Sequence, residues 1–204
     1  MTATNTRMSG TDRRAQLIDV AIDLFSKKGF GGTTTREIAA AAGVTEAIIF
    51  RHFATKQDLY KAILDTKCGT AEGETWSSEL RQAMDRNDDE SVFRTLLTAI
   101  IGFKRKDPRF ERLMLHAVLE GNELAMMHHK QFAVPIGAQL IEYVARRQQA
   151  GAIRDVDPKA VIFAVAGIGQ FYANQKYLHQ SGEIAMSDEA VIEAFLSILM
   201  KGLR

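Results

Sequence analysis

Cysteine occurs once in the 204 residues, at Cys68. A single thiol cannot close an internal disulfide, which excludes a stapled secreted scaffold and points to a reducing, cytoplasmic setting. A redox sensor needs an exposed thiol of lowered pKa; nothing near Cys68 calls for one, so it reads as a small core side chain. Long apolar runs are also missing, and no stretch is long enough to span a bilayer. Met1 to Gly10 is polar, so no secretory leader is expected, and residues 1–10 read as a disordered arm. Sustained period-2 alternation and Asn-Gly or Asp-Gly hairpin signals are lacking, which argues against sheets. So is any recognisable nucleophile–base set, metal triad or phosphate loop, so neither an enzyme nor a bound cofactor is expected. Gly167-Ile-Gly169 lacks a third glycine and a preceding strand. His116 and Glu120 stand one helical turn apart without a third ligand, and His128 and His129 are adjacent and point apart, so no metal site is expected.

What is present is helical periodicity and its punctuation. Leu17, Ile18, Ala21, Ile22, Leu24 and Phe25 make an amphipathic first helix stopped at Gly29. After Thr55, Leu59, Ile63, Trp76 and Leu80 read as one long helix. Arg86 to Asp89 is a polar loop. Val92, Phe93, Leu96, Leu97, Ile100 and Phe103 form a strongly apolar helix ending near Lys106. Asp107-Pro108 and Asp157-Pro158 each read as a cap followed by a first-turn proline. The first of these helices runs to about Glu120 and breaks at Gly121-Asn122; the second runs to about His179. Between them, Glu123 to Gln149 is helical, with Pro135 expected to kink or restart it and Gly151 ending it. Ser187-Asp188-Glu189 caps the last helix, which ends near Met200. The count is about nine helices, and the fold class is all-α.

The most telling stretch is Thr34 to Phe53. Thr34 and Glu37 have capping-box spacing, so a helix starts near Thr34, with Ile38, Ala39 and Ala42 on one face. Gly43 ends it where the chain needs a left-handed residue. Val44 is an apolar plug for the corner, and Thr45 is a candidate N-cap for a second short helix. Ile49 and Phe53 face inward; Arg51 and His52 lie outward. Thr55 and Asp58 repeat the cap spacing. The small alanine side chains let the two helices cross closely. This is the layout of a helix-turn-helix, which places its second helix in the DNA major groove. Charge distribution agrees. The chain as a whole carries only +1, but residues 1–56 hold eight basic against five acidic residues, and the remainder eighteen against twenty. The positive surplus sits at the end that would meet phosphate.

Here the chain resembles the TetR family of bacterial transcriptional regulators. The resemblance covers about Arg13 to Leu64 and is carried by Arg14 to Phe25, Gly29-Phe30, Thr34 to Ala39, Gly43 to Thr45, Phe50 to Phe53 and Thr55 to Tyr60. It implies an all-α homodimer that binds operator DNA and releases it when a small molecule binds. The domain plan is then an arm (1–10), a three-helix helix-turn-helix domain (11–55) and a helical effector-binding and dimerisation domain (56–204). Candidate DNA contacts are Thr35, Arg36, Thr45, Glu46, Ala47, Ile48, Phe50, Arg51, His52 and Lys56. Arg51 suits guanine O6/N7; Thr35, Arg36 and Lys56 suit phosphate at helix starts; His52 resembles a backbone-contacting position of the family. Three residues depart from the family pattern: Glu46 stands where a basic or amide residue is frequent, Ile48 where a small hydroxyl is common, and Phe50 where a Tyr hydroxyl usually meets phosphate. A carboxylate at Glu46 is unfavourable near phosphates unless it accepts from cytosine N4 or pairs with Arg51, and Ile48 favours a thymine methyl. These changes predict an unusual operator or weaker binding to a typical one.

Two further tasks fall to the C-terminal region. Ala160, Ala164, Gly167, Ile168 and Phe171 share one helical face, and Val191, Ala194, Phe195, Ile198 and Leu199 another; two such helices per chain would form a four-helix dimer interface. Trp76, Phe93, Leu97, Ile100, Phe103, Met114, His116, Met126, Met127, Phe132 and Tyr172 are candidates to line an apolar ligand cavity, with His116 as a polar anchor. The expected function is a ligand-responsive regulator, a repressor released from a palindromic operator by an apolar small molecule acting through the helix that begins at Lys56. An activator or a regulator without an effector is the alternative, and an all-α enzyme a remote one.

Overall fold

The computed structural model describes residues 8–68, 71–179 and 184–203, and it is all-α: no strand occurs among the described residues. Ten α-helices follow one another: α1 (Gly10–Lys28), α2 (Thr35–Ala41), α3 (Glu46–His52), α4 (Lys56–Cys68), α5 (Ala71–Asp85), α6 (Asp89–Lys106), α7 (Pro108–Leu119), α8 (Glu123–Gln149), α9 (Pro158–Ala173) and α10 (Asp188–Leu203). A π-helical turn, Asn174–Leu178, continues α9. The long helix expected after Thr55 is described as α4 and α5, which flank residues 69–70, outside the described residues. Pro135 lies inside α8 without restarting it. Met1 to Arg7 of the expected arm lie outside the described residues; Ser9 already caps α1, its side chain accepting from the Asp12 amide.

Two compact units partition the chain: Met1–Lys67 with Arg112–Met126, and Cys68–Glu111 with Met127–Arg204. The expected division after residue 55 therefore differs from the packing. Most of α4 belongs to the first unit, as does the stretch from Arg112 on α7 to Met126 on α8.

In the first unit, α1 buries Leu17, Ile18, Ala21, Ile22 and Phe25, α2 buries Ile38 and Ala39, α3 Ile49, and α4 Leu59, Tyr60 and Ile63, with α2 packed on both α1 and α3. Aromatic rings close this core, with Tyr60 edge-on to Phe25 (5.5 Å) and Phe30 (5.2 Å). The Tyr60 hydroxyl is buried with no hydrogen-bond partner among the described residues. Burial, with the Glu120 charge adding to it, pushes its phenol well above the usual range. An orphaned buried hydroxyl costs on the order of 1 kcal/mol or more. Tyr60→Phe keeps the ring and removes the orphan, so it is expected to stabilise the chain by about 1 kcal/mol in denaturant melts; a clear loss of stability would contradict that accounting.

The second unit packs α5, α6, α9 and α10 around Phe93, Leu97, Ile101, Val144, Val165 and Leu196. Gly169 is a packing residue here: a Cβ would meet Leu97 Cδ2 at 2.9 Å, so α6 and α9 cross too closely for any larger side chain. Its polar ties are concentrated. Asp89 accepts from Arg147 (2.7 Å) and from the Tyr143 hydroxyl. Lys104, nearly buried, bridges Glu111 (2.9 Å) and Asn174 (2.6 Å), and Gln170 donates to the same Glu111 oxygen, Oε1. Desolvation lowers the Lys104 pKa, while Glu111 opposes the shift.

Candidate nucleic-acid interface

The helix-turn-helix is assembled by local chemistry. The Thr34 side chain accepts from the Glu37 amide, and the Glu37 carboxylate accepts from the Thr34 amide at 2.8 Å, closing the anticipated capping box. Lys28 pairs with the same carboxylate at 2.7 Å. With Lys28 and Thr34 all bonding to it, the Glu37 carboxyl is held down to about 2. The helix α2 ends at Ala41. Gly43 follows at φ 67°, and the Val44 amide reaches back to the Ala39 carbonyl at 2.9 Å. No atom crowds the place of a Gly43 Cβ, so the glycine is there for its backbone angle and not for space. Thr45 sits at the N-cap of α3 but its side chain makes no capping hydrogen bond. Ile49 and Phe53 anchor α3 to the core, and Arg14 lies over the Phe53 ring at 4.9 Å.

With Ile49 inward, the other face of α3 is turned out. Thr45, Ala47, Phe50 and Arg51 are exposed, as is Arg36 on α2; Glu46, Ile48 and His52 are half-buried. Arg36 and Arg51 take no hydrogen bond or ion pair among the described residues. Thr35 and Glu46 are joined: the Thr35 hydroxyl donates to Glu46 Oε1 at 2.6 Å. Lys56 differs from its expected role. Its ammonium donates to the Phe30 carbonyl and lies 4.1 Å from the Phe30 ring centre, turned toward the core. Burial lowers its pKa, against the pull of Glu120 and Glu37. Thr55 and Asp58 form a second reciprocal cap at the head of α4.

One feature escaped the sequence reading. Glu120, just beyond α7, accepts from the amides of Phe30 (3.1 Å) and Gly31 (3.3 Å) across a separation of 90 residues. Gly29, at φ 73°, leaves the room: a Cβ there would lie 1.9 Å from Glu120 Oε1. His116 is beside it, its Nδ1 3.3 Å from that same point.

The remaining candidates are dispersed. Met114, His116 and Met126 belong to the first unit, where His116 stands beside Gly29. Within the second unit, Phe93, Leu97 and Tyr172 are core residues, Trp76 and Ile100 pack partly buried against that core, and Phe103 is exposed with its ring edge-on to Trp76 at 6.3 Å. Met127 is exposed, and the side chains of Phe132, His128, His129 and Cys68 lie outside the described residues. On α9 and α10, Ala164, Gly167, Phe171 and Ile198 are exposed. Val191 is instead taken up by the chain's own core, against which Ile168, Phe195 and Leu199 are also partly packed. Phe163, 73% exposed, joins the outer face; its spacing of four from Gly167 and eight from Phe171 was the signal for it.

Fold and site together define an all-α protein with an N-terminal helix-turn-helix. Over residues 17–63 this chain matches the model of bacterial regulatory proteins of the tetR family. It is similar to the HTH-type transcriptional regulator AcrR of Shigella flexneri, with 34% identity over 113 residues, covering 55% of this chain and 51% of that protein. The chain thus spans about half the length of the curated relatives it matches, as it does for the regulator TtgR of Pseudomonas putida, at 53%. Its fold is similar to that of a linker-substituted mutant of the HlyIIR protein, with a TM-score of 0.70 and 17% identity, covering 96% of this chain and 98% of that one. It is likewise similar to AibR, solved in complex with isovaleryl coenzyme A and operator DNA, with a TM-score of 0.65 and 19% identity, covering 92% and 98%.

Proposed function

We propose that this chain is a transcriptional repressor that binds a palindromic operator as a homodimer and releases it when a small molecule binds. The observation that carries the reading is the pair of exposed guanidiniums, Arg36 on α2 and Arg51 on α3, without a partner among the described residues, on the outer face of a capped helix-turn-helix. Arg51 reads guanine in the major groove. Arg36 contacts phosphate, and the exposed Thr45 and Phe50 flank the base edges. Lys56 acts from behind, holding the Phe30 turn and not the DNA backbone.

Dimerisation is supported by the exposed apolar face of α9 and α10, and an effector by the likeness to AibR, which holds isovaleryl coenzyme A and operator DNA in its solved complex. The effector-contacting residues are then the partly buried Trp76 and Ile100 with the exposed Phe103, whose ring meets Trp76, and the signal passes through α4. No helix among the described residues is long and apolar enough to cross a membrane; with a lone cysteine, we place the protein in the cytoplasm and give it no catalytic role.

The test is selection from random duplex DNA at near-physiological salt, using protein refolded free of small molecules. The expected product is a two-fold symmetric site with half-sites about one helical turn apart. Arg51→Ala should lose preference at one base pair per half-site, by roughly tenfold in affinity, with its fold unchanged. A folded dimer that enriches no site overturns the proposal.

A further inference from the structure

We infer that Glu46 is a specificity-determining residue that selects cytosine at one position in each operator half-site; this rests on the DNA-binding reading above. Two arrangements would make a carboxylate tolerable at the start of the recognition helix: pairing with Arg51, or accepting from cytosine N4. The first is not what forms, since Arg51 has no ion pair or hydrogen bond among the described residues. Glu46 Oε1 instead accepts the Thr35 hydroxyl at 2.6 Å.

That bond comes from the first residue of α2 to the first residue of α3. It ties the carboxylate to a second helix and so removes rotamer freedom that would otherwise be lost on meeting DNA. It commits the single Thr35 hydroxyl proton, so this hydroxyl positions Glu46 and is not donated to a phosphate. It also engages only one of the two carboxylate oxygens, and an ionised carboxyl has about four acceptor sites. The acceptor capacity that remains is half-buried, on a helix whose flanking residues Thr45 and Ala47 are exposed and make no hydrogen bond to it among the described residues.

Only two groups on the major-groove edges donate, cytosine N4 and adenine N6. They are not equivalent partners for a carboxylate. Beside adenine N6 lies N7, an acceptor that repels the second carboxylate oxygen. Beside cytosine N4 lies a C–H, which does not. Cytosine is therefore selected, and a carboxamide at the same place, with its own N–H for N7, selects adenine. The negative charge adds to the selectivity in a second way. It weakens attraction to phosphates at every sequence alike, whereas the cytosine bond offsets that loss only at the right site.

The experiment puts full-length protein, Glu46→Gln and Thr35→Val through the same selection from random duplexes. Wild type should enrich a symmetric site with one C·G pair per half-site at which other pairs bind roughly tenfold more weakly. Glu46→Gln should keep the rest of the site, exchange that preference for A·T, and bind unrelated duplex more tightly. Thr35→Val, which preserves volume but has no donor, should weaken discrimination at that same pair and at no other. A merely structural carboxylate would not move base identity at a single position. If folded Glu46→Gln enriches the unchanged site, the inference is overturned while the protein remains a DNA reader. If wild type enriches nothing, the DNA-binding reading fails and the inference with it.

Discussion

Asp188→Ala is expected to cost the folded chain about 3–5 kcal/mol and to lower its thermal midpoint by roughly 10 °C. The carboxylate opens α10 and is nearly buried, at 7% exposure. It accepts from the Tyr177 hydroxyl (2.6 Å), the Tyr172 hydroxyl (2.9 Å), the Lys176 ammonium (3.0 Å) and the Arg105 guanidinium (3.2 Å). Removing it leaves two phenols and a half-buried ammonium with no counter-charge at the π-helical end of α9, and an unmatched buried donor costs its full desolvation. Asp188→Asn keeps one acceptor oxygen but removes the charge facing Lys176 and Arg105, neither of which can accept from the new N–H₂, so its loss should be intermediate. Burial alone would raise the Asp188 carboxyl; the hydrogen bonds from Tyr177, Lys176 and Tyr172 outweigh it and leave it below its ordinary value. The same contacts act on the partners: burial and Asp188 push the Tyr177 phenol up to about 12, and the Tyr172 and Asp188 bonds raise Lys176. A carboxyl lowered in the folded state stabilises above its unfolded value of about 3.9 and loses that contribution as the pH falls through the folded value. Wild type should therefore lose stability faster than Asp188→Ala below about pH 4. Circular-dichroism melts at pH 7 and down the acid limb decide it; a loss under about 1 kcal/mol at pH 7 would show that the network holds little.

The helix-turn-helix was legible in the sequence because its determinants are local. Thr34 and Glu37 are three residues apart, Gly43 marks the left-handed corner, and Thr55 with Asp58 caps the next helix. These bonds close within one turn, so spacing alone reveals them. Asp188 was read as part of a cap, but Ser187 does the capping, its hydroxyl accepting from the Ala190 amide. What Asp188 does depends on Arg105, 83 residues away, and no periodicity encodes such a meeting. Glu120 is the same case, since its amide partners lie 89 and 90 residues off. Lys56 was assigned to phosphate from its place at a helix start, yet the Phe30 carbonyl and ring compete for it and win in the folded chain.

The candidate dimer face was half legible for a different reason. A helix with one apolar stripe announces its buried side; α9 is apolar on nearly every side, so pattern cannot say which stripe serves its own core. Val161, Ile162, Val165 and Tyr172 turn inward, and Phe163, Gly167 and Phe171 outward. Val191 was assigned outward and is inward for the same ambiguity on α10.

On the proposed reading, Phe163→Asp combined with Phe171→Asp is expected to convert the proposed homodimer into a folded monomer and to lower its operator affinity by roughly 100- to 10,000-fold. Phe163, Phe171 and Ile198 are 73%, 66% and 69% exposed in the single chain, and Ala160, Ala164 and Ala194 are exposed with them. Soluble monomers rarely leave so large an apolar patch to water. Gly167 has no atom within 4 Å of where its Cβ would stand, unlike Gly169, which faces Leu97 at 2.9 Å. Its small size is thus not demanded by the chain's own packing and suits close approach by a second copy. Burying this face twice over in a four-helix arrangement removes it from water, at about 25 cal/mol per Å². The affinity loss follows because two joined recognition helices meet two half-sites as one event; separated, each pays its own association cost, and linkage of this kind is worth about 10²–10⁴. Both phenylalanines are outside the core, so the melting behaviour of the monomer should keep its cooperativity, which separates this variant from a core change such as Leu97→Ala at about 2–5 kcal/mol. Sedimentation analysis and operator titration read the two effects together. A variant that stays dimeric would move the interface elsewhere; a monomeric variant that binds the operator as tightly as wild type would show that one helix-turn-helix suffices.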